Sequence, residues 1–181
     1  MNRAALEHLL RAAAAITGEQ QFYVVGTAAI VAALVDGMSA PETLTRSREA
    51  DLIPASGSLR SIDLIDGALG QDSTFDGTFG YYADGVEFST VTFAPDGWRQ
   101  RAVSFSSPAT NGAVGLCMER HDLAIAKLCA GRDKDREFVA GLVQANLVDK
   151  VLLEERLKAV EAPTQVIELA SQRLRALFDS R

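Results

Sequence analysis

The stretch from Gln21 to Pro54, QFYVVGTAAIVAALVDGMSAPETLTRSREADLIP, limits what this chain can fold into more than any other. Its apolar run, Phe22 to Val25, is uninterrupted and β-rich, as a buried strand requires. Gly26-Thr27 follows and leads without a spacer into Thr27 to Val35, where the alanine content and length predict a helix ended by Asp36-Gly37. Residues 38–45 read as a loop in which Pro41 starts a short helical turn. Ala50 to Ile53 reads as the next strand, closed by Pro54 and Gly57.

Acidic residues arrive on that second strand. Side chains of a strand alternate, so Glu49 and Asp51 share one face while Ala50 and Leu52 take the other. Hard cations such as Mg²⁺ take oxygen ligands, and two carboxylates at this spacing form a cradle for one. The best third carboxylate is Glu87, alone among apolar and hydroxyl residues in the alternating run Val86 to Phe93, where an unpartnered charge is costly to bury. Gly26 lets the backbone approach a phosphate, Thr27 offers a hydroxyl, and a helix N-terminus behind them favours anions. The plainer alternative pairs Glu49 with Arg46 or Arg48, makes Asp51 a turn cap and leaves Glu87 on a solvent edge.

The remaining segments add an opening helix and a helical end. Residues 3–17 carry Ala5, Leu6, Leu9, Leu10, Ala13 and Ile16 at helical spacing, up to Gly18. Ser58 to Leu69 predicts another helix. The Gly-, Asp- and aromatic-rich residues 70–85 suggest hairpin-like strands and turns, Val86 to Phe93 a strand, Arg101 to Ser106 its antiparallel partner, and Ala113 to Met118 a last strand. From Glu119 onward the period is helical, over 120–130, 133–145, 149–160 and 164–178, with breaks at Gly131, Asn146 and Pro163. Strands followed by a run of helices predict an α+β fold: a core over 1–118 and a helical part over 119–181 packed on it as one unit.

Charge and cysteine content narrow the function. A net charge of −6 speaks against a protein coated in nucleic acid, yet 11 of the 18 Lys and Arg residues fall from Arg120 onward, where a phosphate partner could be met. Cys117 and Cys129 have no metal-ligand spacing and read as buried thiols, and with two histidines a zinc site is not expected. No signal peptide or membrane span is expected, and the cytoplasm is the default location. His121 reads as a structural or capping residue, Trp98 as packing with a stacking platform as the alternative, and Phe79, Tyr81 and Tyr82 as cross-strand packing that could otherwise contact a base.

VVGTAA followed by TRSREADLIP resembles the nucleotidyltransferase superfamily that includes polymerase-beta-like enzymes. Its pattern is a strand, Gly-Gly or Gly-Ser opening a helix, an Asp-x-Asp/Glu pair on the next strand, and a later third acid. HDLAIAKLCAGRDKDREFVAGL is similar to the Lys-x4-Arg-x2-Asp element of minimal nucleotidyltransferases, including the AbiEii-like toxin group. The resemblance covers about residues 20–145. It implies a nucleotidyltransferase-like mixed sheet with flanking helices, Gly26 and Thr27 at a triphosphate, Glu49, Asp51 and Glu87 on Mg²⁺ or Mn²⁺, and Lys127 near the phosphates with Arg46. Arg132 and Asp135 become structural or substrate-orienting groups. Thr27 stands where the pattern has a second Gly or Ser, and Glu49 where it has Asp.

The expected activity is metal-dependent transfer of a nucleoside monophosphate from a nucleoside triphosphate to a hydroxyl on RNA or protein, in a toxin–antitoxin or defence module. The rivals are a catalytically weakened relative that binds nucleotide or a partner protein without turnover, and a purely protein-binding component such as an antitoxin.

Overall fold

A computed structural model describes residues 1–34 and 41–179. The helix end expected at Asp36-Gly37 and the first part of the 38–45 loop lie outside the described residues. A five-stranded mixed sheet organises the rest, with β1 at Gln21–Val25, β2 at Glu49–Pro54, β3 at Tyr82–Gly85, β4 at Val103–Phe105 and β5 at Val114–Cys117, in the order β3-β2-β1-β5-β4. β1 is central, antiparallel to β2 and parallel to β5, and β2 runs parallel to β3. Phe22 and Val24 of β1 and Leu52 and Ile53 of β2 are fully buried, which explains why their sequences run apolar rather than alternating strictly.

Helix α1, Arg3–Thr17, opens on Asn2, whose side chain accepts from the Ala5 N–H, and ends at Gly18 in the left-handed region. Its buried stripe is Ala5, Leu6, Leu9, Leu10 and Ala13, as its spacing predicts, while Ile16, in the last turn of the same stripe, stays exposed. A short α2, Glu42–Thr45, follows Pro41, and α3, Leu59–Leu69, is capped by Ser58. Together with α4, Thr74–Phe79, α3 makes the crossover that parallel strands β2 and β3 require. β3 and α3 pack so closely that a side chain on Gly85 would come within 2.5 Å of the Ile62 carbonyl oxygen.

The hairpin reading of 70–85 and the strand reading of Val86 to Phe93 are both corrected here. Residues 74–79 are helical, β3 stops at Gly85, and the chain then turns through a 3₁₀ segment, Phe88–Thr90. β4 accordingly pairs antiparallel with β5, not with residues 86–93. The alternation of 86–93 has no neighbouring strand to pair with beyond Gly85.

The four C-terminal helices form where the periodicity puts them: α5 at Arg120–Ala130, α6 at Asp133–Gln144, α7 at Lys150–Lys158 and α8 at Thr164–Asp179. A buried ion cluster holds their start. Asp122, fully buried, accepts from Arg101 Nε and Nη2 at 2.8 and 2.9 Å and lies 3.2 Å from Arg156 Nε. The segment after the 3₁₀ turn is thereby tied to α5 and α7. His121 is structural, as its sequence position suggests: Nδ1 is 2.8 Å from Glu119 Oε1, and Nε2 accepts from the Asp149 N–H at 3.0 Å. No helix among the described residues is long and apolar enough to cross a membrane.

Candidate active site

At the end of β1 the chain adopts φ 63° and ψ −162° at Gly26, a conformation open in practice to glycine alone. A Cβ at this position would lie 2.1 Å from Asp51 Oδ2, so glycine also makes room for the carboxylate on β2. Beyond it, Thr27–Ala33 forms a 3₁₀ segment in place of the expected α-helix, its donors spread over tighter and poorer turns. Its short turns offer an anion a poorer helix end than the expected α-helix would.

Val25 pairs with Asp51 across β1–β2, and Asp51 pairs with Asp84 across β2–β3. Parallel partners in register point to the same side of the sheet, so Asp84 joins the face of Glu49 and Asp51. Burial pushes the Asp51 carboxyl up to about 7, reinforced by the charge and hydrogen bonding of Glu49 and by the charge of Asp84, with Lys127 acting in the opposite sense. Asp84 is raised as well, first by burial and then by Glu49 and Asp66, against a lowering hydrogen bond from the Gln71 backbone. The Tyr82 phenol, opposite Glu49, is raised by burial and then by Glu49 and Asp84.

Glu87 does not belong to this group. It is exposed, sits at the start of the 3₁₀ segment Phe88–Thr90, and does not line the cleft. Its inward position depends on a strand through 86–93, and that strand does not form. The acid that the sheet register brings beside Asp51 is Asp84 instead. The signal for Asp84 is present in YADG, where Tyr82 and Asp84 share a face, but Asp-Gly reads as a turn.

In front of the acids lies a cleft of about 660 Å³ lined by Gly26, Thr27, Arg46, Glu49, Asp51, Lys127 and Arg132, among others. Seven of the residues singled out from the sequence are thus brought to one cavity. Asp135 stands behind it, fully buried, accepting from Lys127 Nζ at 3.0 Å and Arg132 Nε at 2.6 Å. Burial would raise the Asp135 carboxyl, but those two cations hold it below the usual carboxylate range. Asp135 thus ties Lys127 to Arg132, and Lys127 Nζ also sits 4.8 Å from the centre of the Phe138 ring. Arg46 is engaged at the rim by Glu137 at 2.6 Å and Arg48 by Asp76, so neither forms the ion pair with Glu49 that the plainer alternative requires.

The oxygen-only donor set of Glu49, Asp51 and Asp84 suits a hard divalent cation. Among the described residues no three acid, imidazole or thiol side chains already surround a single metal position, and Asp84 does not line the cleft. The aromatic residues weighed as base contacts pack elsewhere. Trp98 is 9 % exposed and meets Tyr23 at 5.3 Å between ring centres. Phe79 and Tyr81 join His8 and Phe75 in a separate ring cluster, and Tyr82 lies under Arg48.

A family model described as a nucleotidyltransferase of unknown function (DUF6036) matches residues 4–177. No curated protein and no solved structure matches the chain.

Proposed function

We propose, for a chain that belongs to this family of nucleotidyltransferases of unknown function, that the cleft transfers a nucleoside monophosphate from a nucleoside triphosphate to a hydroxyl on RNA or protein. One observation carries the reading: Asp51, its carboxyl pushed up to about 7 by burial first and then by Glu49 and Asp84, opens onto the same cleft as Lys127 and Arg132. Carboxylates pressed together are costly unless a cation sits among them. Mg²⁺ or Mn²⁺ is the cation we propose, with Glu49, Asp51 and Asp84 as its ligands; when bound it would offset their charge and polarise the reacting phosphoryl group.

The acceptor oxygen bonds to the α-phosphorus as the bond from that phosphorus to the pyrophosphate oxygen breaks. The hydroxyl proton passes to water, and pyrophosphate leaves with its charge facing Lys127 and Arg132. Positioning and charge neutralisation supply most of the rate in such transfers, which is the work a buried Asp135 behind two cations can do. The toxin–antitoxin or defence setting, with a partner protein, is proposed on the sequence resemblance alone.

Labelled nucleoside triphosphates, incubated with the protein, Mg²⁺ or Mn²⁺, and total RNA or protein, should give labelled acceptor. Losing a group worth several kcal/mol to the transition state lowers the rate about a hundredfold or more, and that is expected of Asp51→Asn. The same assay separates the two candidates for the third acid: Asp84→Asn should lower transfer about tenfold or more, whereas Glu87→Gln should leave it within about twofold. Equal losses at both positions would count against the site as drawn. A second reading, nucleotide binding without turnover, is favoured by Asp84 lying off the cleft lining. It predicts thermal stabilisation by nucleotide with no label transferred.

A further inference from the structure

We infer that residues 90–93 form a nucleobase platform with Phe93 as its stacking surface, an inference that rests on the nucleotide reading above. The cleft lining combines two chemistries. Arg46, Lys127, Arg132 and Lys134 are cationic, while the contribution of residues 90–93, Thr90, Val91, Thr92 and Phe93, carries no charge. A nucleoside triphosphate is divided in the same way, a polyanionic tail and one flat, weakly hydrated ring system. With the tail on those cations, the uncharged segment is left for the base, and its one aromatic ring is Phe93.

Phe93 is only partly buried and lines the cleft, and among the described residues it enters no ring-to-ring contact. Its neighbours explain why it can stay in place without one. Phe88 packs on Tyr23 at 5.5 Å, Tyr23 packs on Trp98 at 5.3 Å, and the Val91 N–H donates to the Phe88 carbonyl at 3.1 Å. Downstream, the Asp96 N–H donates to the Ala159 carbonyl at 2.7 Å, and Arg101 is held by Asp122. The segment is anchored on both sides of Phe93, so little ordering is left for the ligand to impose.

The hydroxyls that residues 90–93 bring to the cleft are those of Thr90 and Thr92, and Thr92 Oγ1 already donates to the Ser89 carbonyl at 3.3 Å. A base is then held by its face more than by its edge. Stacking grows with ring area and tolerates any base, so the site should rank purines above pyrimidines and separate adenine from guanine poorly.

Titration calorimetry of the full chain with Mg²⁺ tests this, using ATP, GTP, UTP and inorganic tripolyphosphate, which keeps the phosphates and lacks the base. The parent protein should bind ATP about tenfold or more tightly than tripolyphosphate, the equal of about 1.4 kcal/mol, and GTP about as tightly as ATP. Phe93→Ala and Phe93→Leu should both bring ATP down to the tripolyphosphate level, leaving tripolyphosphate itself within about twofold, while Phe93→Trp keeps the preference. Leucine fills the space without a π-face, so a residue that merely packs would let Phe93→Leu behave like the parent. An ATP preference that survives in both the Ala and Leu variants, or is missing from the parent, overturns the platform alone. If the parent binds neither ATP nor tripolyphosphate, the nucleotide reading falls and takes the platform with it.

Discussion

At pH 8 in cation-free buffer, Asp51→Asn is expected to be more stable than the parent protein, by on the order of 3 kcal/mol, although it removes the residue on which transfer depends. The sign follows from the direction of the shift. Burial, Glu49 and Asp84 raise the folded-state carboxyl from the ordinary 3.8 to about 7. A raised acid favours the folded state while protonated, so its contribution is full below about pH 4 and is lost as pH climbs through 7. Asparagine keeps the shape of the protonated acid and can still donate to Glu49, but it has no charge to lose. Chemical denaturation with chelator present should therefore find the two proteins alike near pH 4, with the gap opening between pH 4 and 7. Mn²⁺ should stabilise the parent more at pH 8 than at pH 5, because only the ionised pair offers it full charge, and should do little for Asp51→Asn. A variant less stable than its parent at pH 8 would mean that Lys127 already compensates the charge and that no cation is wanted there.

The parts of this site that are legible in the sequence are those fixed by local geometry. The paired faces of Glu49 and Asp51 need only a strand, and both flanks of Asp51 are apolar enough to make one. Gly26 reads correctly because a left-handed turn between an apolar strand and an Ala-rich segment has few other solutions. Lys127 and Asp135 sit at helix positions whose period is plain and Arg132 lies in the short break between those helices, so their convergence follows once Gly131 ends α5. Asp84 and Phe93 are illegible for the opposite reason. The role of Asp84 exists only through its register with Asp51 on a strand contiguous with it in space, and four residues of YADG carry too little pattern to announce a strand. Glu87 is singled out by alternation alone, and alternation has no meaning where no neighbouring strand supplies hydrogen bonds. Phe93 is hidden among aromatics that look more exposed in the sequence; the packing of Trp98 and Tyr81 against other rings is a tertiary fact.

Gly26→Ala is the second large effect expected, and it has two separable causes. The backbone at φ 63°, ψ −162° costs a residue with a Cβ about 1–3 kcal/mol. The new Cβ also falls 2.1 Å from Asp51 Oδ2 and 3.3 Å from its Cγ, so the carboxylate must swing away from Glu49. Together these should lower stability by about 3 kcal/mol, a fall of roughly 10 °C in Tm for a chain of this length. A double-mutant cycle separates the two. Asp51→Ala removes Oδ2 and Cγ and leaves only its own Cβ, which lies at an ordinary 3.8 Å from where the new methyl group would sit. In that background Gly26→Ala should cost the backbone strain alone, so the interaction energy of the cycle should reach about 1 kcal/mol or more. Additive costs would show that the carboxylate does not rest against Gly26, and the turn would then be a backbone device with no part in aiming Asp51 at the cleft.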